Sequence, residues 1–493
     1  MGITGTRTAL ALLAVAILTP SAHAGVISQG GVRMGADVLW SRGFLGAGQS
    51  VAVLDEGFAG LDRSIALGEL PSREAMTIRT FDPLNGLDGR TEFGVPTQHG
   101  VRMAEIVHDL APEARLVLVG YRTVDQFAQA AAWIAASGIP VVSHSNSFLT
   151  PPFDGTGPAA QAVDAAAAAG VLWVNSVGNY AQRHWRGTPP LAGAIVPVAP
   201  PAGTPLQFSL AWESPGSTAT LALERQEPSS GAWTEVQRAT PAGPLNAVTA
   251  PYTADGAPMR LVVGIASGPA VPVSVFSQTT GFASLAAADG SVPTPGDAAG
   301  ALTVGSVRWT GTAREPYSSG GPTRDGRLKP DLVGPTYVTS NPEWPGTAGT
   351  SAATAHVAGA AALMRQARLA EGLPVAPADL RAAFTSTALD LGAEGPDTSY
   401  GWGMARLDAR SPRLLVRVAP GARRVVRVRA ADAGTIRRVR VSLNARGLRA
   451  VRRPVLGVRL PALRRGANRL TVTAEDMAGN VTQRTRVLRR AAR

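Results

Sequence analysis

A serine stands at the foot of a run of small residues in Gly349-Thr350-Ser351-Ala352-Ala353-Thr354-Ala355-His356-Val357-Ala358-Gly359. The run from Ala352 to Ala361 reads as a tightly packed helix, which puts the Ser351 hydroxyl at a helix N-terminus. Unpaired backbone N–H groups and the positive end of the helix dipole favour developing negative charge there. That position suits a nucleophile whose reaction builds an oxyanion. A serine in the same place also serves as an ordinary helix cap, so it needs partners before it implies chemistry.

The first partner is a base, most often an imidazole, and the chain has six histidines. His23 lies in the N-terminal leader. His108, His144 and His184 lack a neighbouring glycine to open space at a cleft, and read as hydrogen-bonded or surface side chains. His356 is about 140° around the helix from Ser351 and is expected to point away from it. His99 precedes Gly100, which leaves room beside the ring, and opens a helical run from Val101 to Val107.

The base needs a carboxylate to hold its tautomer. Gln49-Ser50-Val51-Ala52-Val53-Leu54 reads as a buried strand and runs into Asp55-Glu56. Sites form at the carboxyl ends of parallel strands, so Asp55 is the candidate, though a loop aspartate also caps turns. Successive strand side chains face opposite ways, and only one of Asp55 and Glu56 is expected to enter the site. Val171-Leu172-Trp173-Val174-Asn175-Ser176-Val177 is a second apolar strand, ending in Gly178-Asn179. The Asn179 amide reads either as an oxyanion donor or as a turn former.

In the order Asp55, His99, Asn179, Ser351 the chain resembles the subtilisin-like serine proteases, the subtilases. That family has the order Asp, His, Ser and an asparagine in the oxyanion hole. The likeness is carried by Val51 to Asp55, by His99-Gly100 with Ala111-Pro112-Glu113-Ala114-Arg115-Leu116, and by Val174 to Asn179. It continues through Tyr317-Ser318-Ser319-Gly320-Gly321-Pro322-Thr323-Arg324-Asp325-Gly326-Arg327-Leu328-Lys329-Pro330-Asp331 and the Gly-Thr-Ser segment. It covers about residues 30–185 and 293–410. The resemblance implies that Ser351 is the nucleophile, His99 the base, Asp55 its orienter and Asn179 an oxyanion donor. It also implies substrate contacts at Ser145, Asn146 and Ser147 and at Ser176, Val177 and Gly178. Three positions depart from the family pattern: Ala355 stands where proline is usual, Val101 where threonine is common, and Ser145-Asn146-Ser147 where Ser-Leu-Gly or Ser-Trp-Gly is frequent. The last bears on substrate preference and leaves the triad untouched.

Length and composition set the frame for these residues. The chain of 493 residues exceeds one ordinary domain, and 45% of it is apolar. Residues 1–24 read as a secretory signal peptide: Arg7, an apolar run from Ala9 to Leu18, and Ala22-His23-Ala24 before a cut at Gly25. The apolar run is too short to span a bilayer and no later stretch is longer, so a secreted, periplasmic or cell-surface protein is expected. There is no cysteine, which excludes disulfides, thiol nucleophiles and Cys-based metal sites. No cofactor is required by this chemistry and no metal ligands are assigned. Structural calcium stays open, because subtilases often bind it while no cage-like acidic run marks a site here.

The expected architecture is α/β: a subtilisin-like parallel sheet with helices on both faces, an inserted β-sandwich, and a C-terminal all-β domain resembling immunoglobulin-like repeats. The segments are a signal peptide at 1–24, the catalytic domain in two parts at 25–186 and 293–411, the insert at 187–292, and an arginine-rich β domain at 412–493. Alternating strands between Pro, Gly and Ser turns mark the insert. The tail holds 22 arginines against Asp432, Glu475 and Asp476, so the net charge of +12 is concentrated there. Alternation of Val or Leu with Arg reads as half-buried strands with a cationic outer face. Two readings stay open for that face: attachment to an anionic envelope polymer, or simple solvation. No aromatic residue follows Trp402, so base stacking, and with it nucleic-acid binding, is not expected. The function expected is a secreted serine endopeptidase acting on proteins or peptides; the alternative is a non-catalytic or narrowly specific surface-binding protein on the same scaffold.

Overall fold

Short, β-branched, apolar runs alternate with helical ones through the first half of the chain, and they build a parallel sheet. A computed structural model describes residues 25–91, 94–190, 193–243, 245–282, 285–407, 412–419, 425–432, 436–476 and 481–490. The expected signal peptide lies outside these residues. The seven strands of the sheet are β1 (Ser50–Asp55), β2 (Thr77–Thr80), β3 (Arg115–Gly120), β4 (Val141–His144), β5 (Leu172–Ser176), β6 (Ala301–Arg308) and β7 (Leu332–Thr336). Their order is β7-β6-β5-β4-β1-β3-β2, with every neighbour parallel. The register sets Asp55 beside Gly120 and Leu54 beside His144, so the carboxyl ends of β1, β3 and β4 form one edge.

Both faces of the sheet are covered. Val51, Val53, Leu116, Leu118, Val141 and Val174 face α4 (His99–Leu110) and α7 (Thr350–Ala370) in one core. Ala52, Leu54, Val117, Val119, Val142 and Trp173 face α5 (Val124–Ala136) and α6 (Pro158–Ala168) in the other. Burial on both sides explains why these strands carry apolar runs rather than alternation. Helix α7 is buried without a break from Thr350 to Met364, and a helix enclosed all round must be apolar all round. Its small residues let α4 approach closely: a Cβ on Gly359 would sit 2.8 Å from Leu110 Cβ. The remaining helices are α1 (Gln29–Arg33) and α2 (Ala36–Trp40) before β1, α3 (Leu61–Ala66) between β1 and β2, and α8 (Pro377–Thr387) after α7. Pro377 opens α8, where its missing N–H costs nothing.

Between β5 and β6 the chain leaves the parallel sheet. Strands from His184–Gly187 to Val273–Ser277 form a five-stranded and a four-stranded antiparallel sheet around one apolar cluster with Leu210, Leu221, Leu261 and Val275 at its centre. The arginine-rich tail forms a three-stranded and a four-stranded antiparallel sheet. In the strand Val425–Ala431, Val426, Val428 and Ala430 are buried while Arg427 and Arg429 are exposed, the alternation its sequence predicts.

Candidate active site

Three crossovers deliver the expected groups to the carboxyl edge of the sheet. Asp55 is the last residue of β1 and is 1% exposed. His99 is the first residue of α4, and its Nδ1–H donates to Asp55 Oδ2 at 2.6 Å. The second carboxylate oxygen accepts the Glu56 N–H at 2.9 Å. A carboxylate only accepts, so this bond fixes the imidazole proton on Nδ1 and leaves the Nε2 lone pair free. Burial opposes a charge on His99, but the neighbouring Asp55 charge, its hydrogen bond and Glu56 outweigh that, and the ring titrates above its ordinary 6.5.

Ser351 occupies the first turn of α7 and is 5% exposed. The residue before the helix, Gly349, has φ 101° and ψ 161°, a conformation essentially reserved for glycine. That turn is tied down from both sides. Gly349 N–H donates to Tyr317 Oη at 3.0 Å, and Thr336 Oγ1 donates to Gly349 O at 3.0 Å. Asn179 supports the next residue: its Oδ1 accepts the Thr350 N–H at 3.0 Å and the Thr350 Oγ1–H at 3.1 Å. With Oδ1 committed to the helix, Nδ2 is the free end of the amide.

His99, Ser351 and Asn179 line one cleft of about 460 Å³, together with Ser145, Asn146, Ser147 and Gly178. Of the other expected substrate-contacting residues, Ser176 and Val177 are buried and do not line it. Glu56 does line it, which overturns the expectation that only one acid of the pair would reach the site. The strand ends at Asp55, so its alternation does not govern the next residue. The reason given for Gly100 is also corrected. A Cβ there would press on the Phe58 ring at 2.6 Å and on Gly57 O at 2.7 Å, so the glycine serves helix seating rather than imidazole clearance.

Three further histidines, His144, His184 and His356, are held neutral. His356 donates from Nδ1 to Ala352 O and accepts the Ser28 hydroxyl at Nε2, both at 2.6 Å, and burial pushes it down to about 4. His144 donates to Asn175 Oδ1 and accepts from Tyr121 Oη, and lies at about 4 for the same reason. His184 donates to Ala287 O and is pushed by burial to about 3. Sequence reasoning missed Tyr317 as a support of the Gly-Thr-Ser turn, although it opens a family loop. It also missed Arg122, Thr123, Tyr180 and Gln278 in the cleft wall. Gln278 belongs to the segment between β5 and β6, and nothing local in the sequence marks it. Among the described residues no three His, Asp or Glu side chains are arranged to hold a metal ion.

Known proteins resemble this chain in sequence over one segment and in fold. The sequence model of the Subtilase family matches residues 275–403. No curated protein matches the chain. The structure of the CspB protease of Clostridium perfringens is similar, with a TM-score of 0.54 and 16% identity, over 76% of this chain and 97% of that one. The prenylagaramide maturation protease PagA aligns over 76% of this chain and 96% of its own, at 14% identity and a TM-score of 0.44. The chain is thus similar to the subtilase family over residues 275–403, and its fold is similar to that of a subtilisin-like protease.

Proposed function

We propose that the protein is a secreted serine endopeptidase that hydrolyses peptide bonds through Asp55, His99 and Ser351. The observation that carries this reading is the His99–Asp55 hydrogen bond at 2.6 Å beside a helix-terminal serine in the same cleft. His99 Nε2 takes the Ser351 proton as Oγ attacks the scissile carbonyl. Asp55 holds the tautomer and stabilises the imidazolium. The Asn179 Nδ2 amide and the Ser351 backbone N–H donate to the oxyanion. His99 then protonates the leaving amine, and water repeats the sequence on the acyl-enzyme. No metal enters these steps.

Fluorophosphonate labelling of the purified protein tests the nucleophile. Labelling is expected to vanish in Ser351→Ala, and casein or quenched-peptide cleavage with it; undiminished labelling of that variant refutes the assignment. The tail supplies the second part of the reading. Arg413, Arg417, Arg427, Arg429 and Arg459 are exposed in its three-stranded sheet, and Arg417 lies directly opposite Arg427. Like charges opposed across strands are destabilising without a counter-charge, which supports attachment to an anionic envelope polymer. Retention of the full chain on an anionic resin should fall with salt, and fall further in Arg417→Ala/Arg427→Ala/Arg429→Ala; equal retention removes the tether.

A further inference from the structure

The segment that starts at Gly25 runs directly onto buried acids. Val26 N–H donates to both oxygens of Glu69, at 3.3 and 3.1 Å, and Glu69 is 4% exposed. Ser28 N–H donates to Asp109 Oδ2 at 2.9 Å, and Asp109 is also 4% exposed. Glu105, fully buried, stands close enough to both for their charges to repel. Among the described residues, none of these three carboxylates forms an ion pair with an arginine, lysine or histidine. A buried carboxylate left without a cation is costly.

Gly25 itself rests against Glu69. A Cβ on residue 25 would overlap Glu69 Oε2, so the glycine lets the main chain lie against the carboxylate where it stands. The sequence places the leader's cut before this same residue. We propose that Glu69 is the binding site for the α-ammonium group created when the chain is cut between Ala24 and Gly25. Hydrolysis of that bond by a leader peptidase adds water across it. It leaves a carboxylate on Ala24 and an amine on Gly25 that is largely protonated at neutral pH. The ammonium supplies the cation that Glu69 lacks.

The segment fixed in this way leads to the catalytic helix. Three residues past Gly25, the Ser28 hydroxyl donates to His356 Nε2, and His356 Nδ1–H donates to the carbonyl of Ala352, next to Ser351. Gly30 packs so tightly on that imidazole that a Cβ would overlap it. The ammonium site therefore anchors the strap that seats the helix carrying the nucleophile. The proposal rests on the export reading above, and its test separates the two.

The chain offers an unusually clean probe. Lys329 is its only lysine, and it is buried with Nζ donating to Ala301 O and Asp331 Oδ2. An N-hydroxysuccinimide acetate reagent applied to the folded, exported protein therefore reads the α-amine. Intact mass is expected to place the mature start at Gly25, and Glu69→Gln is expected to label at least tenfold faster than wild type. A chain with one alanine added ahead of Gly25 should label fast whichever residue occupies position 69, and it serves as the comparison should Glu69→Gln fold poorly. Equal rates for wild type and the extended chain, with the start confirmed at Gly25, overturn the ammonium site. A mature start elsewhere overturns the cut site and the ammonium site together, while fluorophosphonate labelling of Ser351 reports the peptidase reading independently.

Discussion

Asn179 holds the helix that carries Ser351 and, in the proposed mechanism, donates to the oxyanion; one pair of substitutions separates the two. Its Oδ1 accepts two hydrogen bonds from Thr350 and so holds the first turn of the catalytic helix; its Nδ2 is free to face the oxyanion. Asn179→Ala removes both. The lost helix bonds are each worth about 0.5–1.5 kcal/mol, so stability should fall by about 1–3 kcal/mol. The lost donor should lower kcat by about 10²–10³ with little change in KM, because the interaction forms only in the transition state. Asn179→Asp keeps an acceptor for Thr350 and adds negative charge at a helix N-terminus, which is stabilising. It also sets a carboxylate oxygen where the donor was, and its charge opposes the oxyanion. Its thermal midpoint should equal or exceed that of Asn179→Ala while its kcat is equal or lower. Steady-state kinetics on a quenched peptide and thermal melts of both variants decide the matter. A kcat loss under tenfold in Asn179→Ala, or a kcat that recovers with stability in Asn179→Asp, refutes the oxyanion role.

Asp55→Asn should lower kcat by about 10⁴, since an amide no longer holds the Nδ1–H tautomer. With the Asp55 charge gone, the His99 ionisation should fall from above 6.5 and the acid limb of kcat/KM should move to lower pH; an unmoved limb denies the pairing. Gly349→Ala has room for its methyl, the nearest atom being Asn179 Nδ2 at 3.5 Å, so its cost is conformational. About 1–3 kcal/mol should be lost in urea denaturation; a neutral substitution would mean that the positive φ is not required.

The parts of the site that were legible in the sequence are those fixed by local rules. An apolar run ending in Asp55 had to be a buried strand with its last side chain at the sheet's carboxyl edge. Gly-Thr-Ser before a run of mostly small residues had to start a helix packed closely on its neighbours. What stayed hidden depends on contacts made far along the chain. Tyr317 reaches Gly349 across 32 positions, and Gln278 enters the cleft wall from the segment between β5 and β6. Gly100 shows a correct choice reached by a faulty reason. It marked His99, yet it is required by Phe58 and Gly57, which no spacing in the sequence connects to it. Glu56 reached the cleft because β1 stops one residue earlier, and strand ends are where periodicity loses authority.

The same burial that tunes the site predicts how stability follows pH. Glu105 is fully buried, accepts from Ser64 and Asn341 and contacts the Ser340 hydroxyl, and burial pushes it up to about 7. The folded chain therefore holds a proton on Glu105 that the unfolded chain has released. Its contribution is complete below about 4.5 and is lost as pH rises through about 7. His144, His184 and His356 run the other way. Their folded values near 4, 3 and 4 lie below 6.5, so their contribution is present above 6.5 and is lost as pH falls through those values. Between about 4.5 and 6.5 the one carboxyl opposes the three imidazoles, so stability rises with pH less steeply than the imidazoles alone would make it. Glu105→Gln keeps a carbonyl for Ser64 and Asn341 and an amide donor for Ser340, but it cannot titrate. Relative to wild type it should gain stability as pH rises from about 4.5 to 7, by on the order of 3 kcal/mol in total. Urea denaturation of both proteins at half-unit steps measures this difference. A difference that stays level across the range would mean that Glu105 is not held protonated by its surroundings.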